Sequence, residues 1–244
     1  MKTIIFLKKA AFLMLASTLS LSCSKDDSSP QPQTGYFVKK IIVWKADDKY
    51  MKIDFRYDAN NRIIEQAIDT DTIRYAYNGG GQLTHYRFND EESYRFEYVN
   101  KTITRIVEHD PQTDEVVDEI PVTFSNGTYS INGDTICKVA DQGQLLELPA
   151  EGIVFSYGEE AGVHRHLTLN PARYFRPGGE FIVSDLTLSN KELLGWEQEG
   201  SKVFMKNQRN EQGLITNISL TTLYDKEFNW DIEYEERELV RGLN

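Results

Sequence analysis

Two cysteines in 244 residues allow one disulfide at most, so the chain cannot be a stapled mini-domain and must hold together through an ordinary core. Cys137 lies in Thr135-Ile136-Cys137-Lys138-Val139, where it reads as a small strand hydrophobe, and no histidine stands near it in sequence to make it a nucleophile. Basic residues are scarce as well: 27 Lys and Arg face 38 Asp and Glu, a net charge of −11. Phosphate binding needs clustered cations, so nucleic acid is excluded as a partner. No Gly-x-Ser-x-Gly elbow, phosphate loop or dinucleotide fingerprint occurs, and Gly79-Gly80-Gly81 has no helix after it to receive a phosphate. No cofactor is therefore expected. Helical periodicity is almost missing; Asn190 to Gly195, headed by a candidate cap, offers a single helical turn.

One apolar run is present, Ala10 to Leu21, too short to cross a bilayer as a stable helix. With Lys2, Lys8 and Lys9 before it, this is the pattern of an export signal over residues 1–22. The run ends in Leu19-Ser20-Leu21-Ser22-Cys23, which resembles the lipobox of bacterial lipoproteins, with Ser20 where that family usually has Leu. The resemblance implies cleavage before Cys23, lipidation of that residue and anchorage in the outer membrane. With Cys23 lipidated, Cys137 has no partner for a disulfide. Residues 23–36 contain the polar stretch Ser24 to Gly35 and read as a flexible tether, leaving 37–244 as one domain. The opening Cys23-Ser24-Lys25-Asp26-Asp27 is similar to Bacteroidota lipoproteins in which acidic residues after the cysteine accompany export to the cell surface. Removing three lysines from 27 basic residues leaves 24 against 38 acidic ones, a mature net charge of −14.

From Phe37 onward strand follows strand. Ile53, Phe55 and Tyr57 alternate with Asp54, Arg56 and Asp58; Ile73, Tyr75 and Tyr77 repeat the pattern, and so do Tyr94, Phe96 and Tyr98. Apolar residues at every second position suit a half-buried strand, whose successive side chains point to opposite faces. Asn61 and Gly81, four residues after Tyr57 and Tyr77, read as left-handed turn residues. Asn126-Gly127 and Asn132-Gly133 are hairpin signals, and Gly143-Gln144-Leu145 repeats Gly81-Gln82-Leu83. Further strands are expected at Ile153 to Tyr157, Val163 to Leu169, Phe181 to Leu188, Lys202 to Lys206, Leu214 to Leu223 and Phe228 to Tyr234, with a longer loop at Asn170 to Gly179. Such short connections make neighbours antiparallel. The expected fold is all-β: one long antiparallel meander, strongly twisted and curled into a half-barrel or closed barrel.

The segments Phe55-Arg56-Tyr57-Asp58-Ala59-Asn60-Asn61-Arg62-Ile63 and Tyr75-Ala76-Tyr77-Asn78-Gly79-Gly80-Gly81-Gln82-Leu83 resemble YD repeats. With the leader, the chain is similar to a family of Bacteroidota lipoproteins of unknown function whose sheet is described as porin-like. That resemblance brings no shared catalytic set. The third unit departs from it, since Tyr98 reaches Ile103 after five residues without a turn glycine.

Candidate chemistry is sparse. His164 and His166 are candidate metal ligands that Glu159 or Glu160 would have to complete; two ligands do not make a site, and no metal is expected. Asp58 to Asn61 and Asn89 to Glu92 hold oxygen ligands without calcium-loop spacing, and Asx turns explain both. Trp44, Trp196 and Trp230 are candidate ligand-binding aromatics, because rings can stack on sugars, although the aromatic face of the repeats reads first as core. Thr72 and Thr135 lie in Asp-Thr-Ile triplets that resemble the O-glycosylation sequon of Bacteroidota. The expected function is a non-enzymatic envelope or cell-surface lipoprotein, attached to the membrane by its lipid, that binds a glycan or protein partner or supports an envelope complex. The alternative is a secreted carbohydrate hydrolase with an unidentified carboxylate pair, which a pocket holding two suitably spaced carboxylates would reveal.

Overall fold

The computed structural model describes residues 33–46, 48–141, 143–175, 189–221 and 227–240. The described residues all fall in one compact unit, Gln33–Asn244. The leader, Cys23 and most of the tether lie outside the described residues, as do the strand expected at Phe181 to Leu188 and the end of the expected Asn170 to Gly179 loop.

Among the described residues sixteen strands follow one another: β1 (Thr34–Lys45), β2 (Asp48–Tyr57), β3 (Ile63–Ile68), β4 (Asp71–Tyr77), β5 (Leu83–Phe88), β6 (Glu92–Val99), β7 (Thr102–His109), β8 (Val116–Ser125), β9 (Thr128–Ile131), β10 (Asp134–Val139), β11 (Leu145–Leu148), β12 (Ile153–Ala161), β13 (Lys191–Gln198), β14 (Ser201–Arg209), β15 (Ile215–Thr221) and β16 (Glu227–Glu238). Each pairs with the next, and β16 returns to β1, so the meander is a closed barrel. β1 begins at Thr34, three residues before the expected domain start.

The alternation read in the sequence sorts the two faces. Ile53, Phe55, Ile73, Tyr75, Tyr94 and Phe96 are buried inside. Outside, charges meet across strands: Glu65 takes Arg56 at 3.0 Å and Arg74 at 3.4 Å, while Arg105 bridges Glu97 at 2.6 Å and Glu119 at 2.5 Å. Such exposed pairs are worth about 0–1 kcal/mol each, whereas a fully buried Ile or Phe contributes about 1.5–3 kcal/mol, so the interior holds the barrel together.

One hairpin design recurs at one end. In β2–β3, β4–β5, β6–β7, β10–β11 and β14–β15 the register skips a residue beside the turn, as between Arg56 and Tyr57 or Ala76 and Tyr77. A bulge of this kind bends the strand and increases twist, which helps a sheet close. Tyrosine hydroxyls tie the bulged ends down: Tyr57 donates to Val38 O, Tyr77 to Ile63 O, Tyr98 to Leu83 O and Tyr234 to Ile215 O, at 2.6 to 2.9 Å. Asn61, Gly81, Gly143 and Gly213 all have φ between 59° and 81°. The third unit manages without glycine because its turn has two residues, Asn100 and Lys101, both at positive φ.

Barrels of sixteen strands can leave a wide lumen. Here residues 162–175, after β12, fill space from within, and they correct two expectations. Val163 to Leu169 is not a strand, residues 163–166 being turn and 167–169 irregular, and Pro171–Tyr174 forms a 3-10 turn capped by Asn170 Oδ1, which accepts from Ala172 N at 3.1 Å. A helical turn thus falls here, and another at Pro149–Glu151 between β11 and β12, while Asn190 to Gly195 belongs largely to β13. Gly162 starts the inward turn, since a Cβ there would lie 2.2 Å from Lys191 O. Val163, Leu167, Ala172, Tyr174 and Phe175 join the core, His164 packs on Phe55 and Phe175 packs edge-on to Tyr129. Arg173 donates to Tyr77 Oη at 2.6 Å and lies over the Tyr75 ring at 4.5 Å. We call residues 162–175 the plug.

Candidate functional site

All connections from even to odd strands lie at one end of the barrel, together with the start of β1 and the end of β16, because the strands alternate in direction. The plug enters from that end. Between the turns at 78–82, 100–101, 126–127 and 140–143 and the plug residues Thr168 to Pro171 opens a cleft of about 670 Å³. This volume is within the range of small-ligand sites.

The cleft is aromatic within and polar at its rim. Phe124 follows Ile120 and Val122 on the inward face of β8, yet it is 42% exposed where Phe55, Tyr75 and Phe96 are buried. Its ring centroid lies 4.4 Å from that of Tyr129, which meets Phe175 of the plug edge-on at 5.1 Å. Tyr98 and Tyr129 line the wall beside it. Burial pushes the Tyr98 phenol well above its ordinary range, against the opposing hydrogen bond with Asn170, and burial raises Tyr129 as well. Both stay protonated. Around them stand Gln82, Lys101, Thr102, Asn126, Asp141, Thr168 and Asn170. Among the described residues, Asp141 is the only carboxylate on this wall.

The residues singled out from the sequence are not brought together. Trp230 is 1% exposed and belongs to the core, and Trp196 packs partly buried against it. Trp44 sits elsewhere, its Nε1 donating to Asp231 Oδ2 at 2.7 Å. His164 is enclosed beside Phe55, whereas His166 meets Phe37 with ring centroids 5.5 Å apart. Glu160 pairs with Arg209 at 3.0 Å, away from a ligand role with the histidines. No group of three or more His, Cys, Asp or Glu is placed to hold a metal among the described residues. Asp58 and Asn89 act as turn acceptors: Asp58 Oδ1 takes the amides of Asn60 and Arg62, and Asn89 Oδ1 takes the amide of Thr72. Cys137 is buried in β10, its thiol pushed up to about 12 by desolvation. Thr72 and Thr135 are the second residues of β4 and β10, half-exposed at the barrel end opposite the cleft.

Sequence reasoning missed Phe124. The signal was there in Phe124-Ser125-Asn126-Gly127, an aromatic beside a hairpin turn, but alternation alone reads it as another core residue.

No family model matches the chain, and no curated protein does. Among solved structures it is similar to a porin-like protein from Bacteroides vulgatus ATCC 8482, with 12% identity over 82% of this chain and 99% of that one and a TM-score of 0.44. It is also similar to a porin-like protein from Bacteroides uniformis ATCC 8492, with 10% identity over 81% of this chain and 96% of that one and a TM-score of 0.35. Similarity of this degree assigns neither ligand nor activity.

Proposed function

We propose that this chain is a non-enzymatic lipoprotein of the bacterial envelope, held to the outer membrane by a lipid on Cys23, that binds a glycan or an envelope protein at the turn-lined end of its barrel. The observation that carries the reading is the polarity of the wall. A barrel that crosses a membrane turns an apolar band about 25 Å tall toward lipid and keeps its lumen polar. This barrel does the reverse, with Lys52, Asp54, Arg56, Glu65, Arg74, Arg95, Glu97 and Arg105 outside and aliphatic and aromatic residues inside. Each Arg or Lys at the bilayer midplane would cost about 2–4 kcal/mol. Membrane attachment then rests on the lipid. The plug occupies the interior, which argues against conduction.

The composition of the cleft supports a binder over a hydrolase. General acid/base cleavage of a glycoside uses two carboxyl groups about 5–9.5 Å apart, and the described wall offers Asp141 alone. Thr72 and Thr135, if they carry sugars, display them at the far end, where they leave the cleft free.

The test is fractionation of cells producing the full chain and its Cys23→Ala variant. Wild type should sediment with membranes and the variant should become soluble, since stable anchoring needs the acyl chains and the barrel wall supplies no substitute. A variant that stays with the membrane would refute the anchored, non-spanning reading. Intact-mass measurement of the native protein reads the lipid on Cys23 and any hexoses on Thr72 or Thr135 in one spectrum; a bare mass removes both modifications.

A further inference from the structure

We infer that the cleft takes a neutral saccharide, stacked on the open face of Phe124, and that Phe124 is the residue on which binding depends. The inference rests on the binder reading and gives its ligand a chemical class. An inward-facing phenylalanine on a barrel wall is expected to be covered, as its counterparts are. Phe124 is instead left open by the cleft while its other side is backed by Tyr129, and Tyr129 by Phe175. Such a ring is an apolar platform already fixed in place, so a ligand pays little to order it. Pyranose rings present C–H faces that suit an aromatic surface, with hydroxyls pointing outward to polar groups.

The rim matches that second requirement. Asn170 uses its Oδ1 on Ala172 N, and Gln82 uses its Oε1 on Asn78 Nδ2, so among the described residues both amides keep N–H donors unmatched. Asn126, Thr168, Lys101 and Asp141 have no protein partner among the described residues. Elsewhere on the wall several opposite charges pair across strands, as Arg105 does with Glu97 and Glu119. The rim therefore supplies unengaged donors and acceptors around one ring, which is what a polyhydroxylated ligand uses and what a lipid tail does not. Lys101 and Asp141 give the wall one charge of each sign, and the chain as a whole is acidic. Nothing there selects an anion, so the ligand is uncharged.

The experiment is a glycan array carrying neutral and uronate-bearing oligosaccharides, probed with the chain from Ser24 onward, which keeps the whole unit Gln33–Asn244. Wild type, Phe124→Ala and Trp44→Ala are compared, with a thermal melt of each. Neutral glycans should bind wild type and Trp44→Ala alike. Phe124→Ala should weaken binding at least tenfold, with the melting transition kept cooperative because the ring is half open. Glycan binding that survives Phe124→Ala, or that is confined to uronate-bearing glycans, overturns the inference while leaving a glycan binder in place. If no glycan binds, the inference fails; an envelope protein captured by wild type would then keep the broader reading.

Discussion

The His164 imidazole is buried in the plug with no hydrogen-bond partner for its Nε2 among the described residues. Desolvation, helped by the Arg173 guanidinium, pushes its pKa down to about 3 from an ordinary 6.5. Between those values the unfolded chain binds a proton that the folded chain refuses, so stability rises with pH across that window and falls as pH drops from 6.5 toward 3. The slope from one such group approaches 1.36 kcal/mol per pH unit, roughly the worth of a tenfold change. His85 and His166 are lowered too, chiefly by burial, and add in the same direction. Urea unfolding at pH 7 and pH 5 should show wild type losing stability on acidification and His164→Phe losing markedly less, since Phe keeps the ring contact with Phe55 and carries no titrating nitrogen. Equal losses in the two proteins would mean that His164 titrates normally. The sequence made Phe55, Tyr75 and Phe96 legible as core, because strand alternation fixes which way a side chain points. It did not make His164 legible, because nothing in Val163-His164-Arg165-His166-Leu167 distinguishes a wall strand from a segment turned inward.

At the scale of elements, four turns share one backbone pattern. Asp58, Asn78, Ala140 and Asn210 each accept from the residue three further on and donate to the carbonyl four further on. Three of them add a side-chain acceptor: Asp58, Asn78 and Asn210 offer Oδ1 to the amides of Arg62, Gln82 and Leu214, as well as to the amide two residues on. Ala140 cannot. A neutral hydrogen bond contributes about 0.5–1.5 kcal/mol net, so Asn78→Ala should destabilise by about 1–2 kcal/mol and Ala140→Asn should stabilise by about 0.5–1.5 kcal/mol. Urea midpoints at unchanged slope would measure both. An Ala140→Asn protein no more stable than wild type would mean that the fourth turn does not admit the motif. These turns were partly readable, since Asn61 and Gly81 sit where a left-handed residue is needed. The 3-10 turn at Pro171–Tyr174 was not, because its cap, Asn170, stands before a proline in a stretch that also reads as loop. Asn190 looked like a better cap, but Leu193, Trp196 and their neighbours pair with β12 and β14.

Closure belongs to the whole molecule, and no local pattern encodes it. A meander needs only neighbours in sequence, whereas β1 and β16 meet in eleven residue pairs across nearly the full domain, as with Val43 opposite Trp230 and Ile41 opposite Ile232. The sequence therefore left a half-barrel and a closed barrel equally open. The seam is held by more than its ladder. Lys40 pairs with Glu233 at 2.6 Å, Arg237 donates to Asn61 Oδ1 at 2.8 Å and to Asp58 O at 2.9 Å, and Asn61 Nδ2 donates to Glu238 O at 2.7 Å, so β16 is also tied to the β2–β3 turn. Contacts this distant reward the chain only after a long loop has closed, which makes closure a late and slow event. A chain ending at Thr221 should expose the cost. It loses Trp230 and Ile232 from the core and leaves β1 and β15 as open edges with unpaired backbone groups. The truncated protein is expected to bind a hydrophobic dye, to associate through those edges and to lose the cooperative melt. If it instead melts within about 2 °C of wild type as a monomer, well below the shift of several degrees that even 1 kcal/mol would bring to a small domain, the seam contributes little. The sheet would then stand as an open shell around its plug.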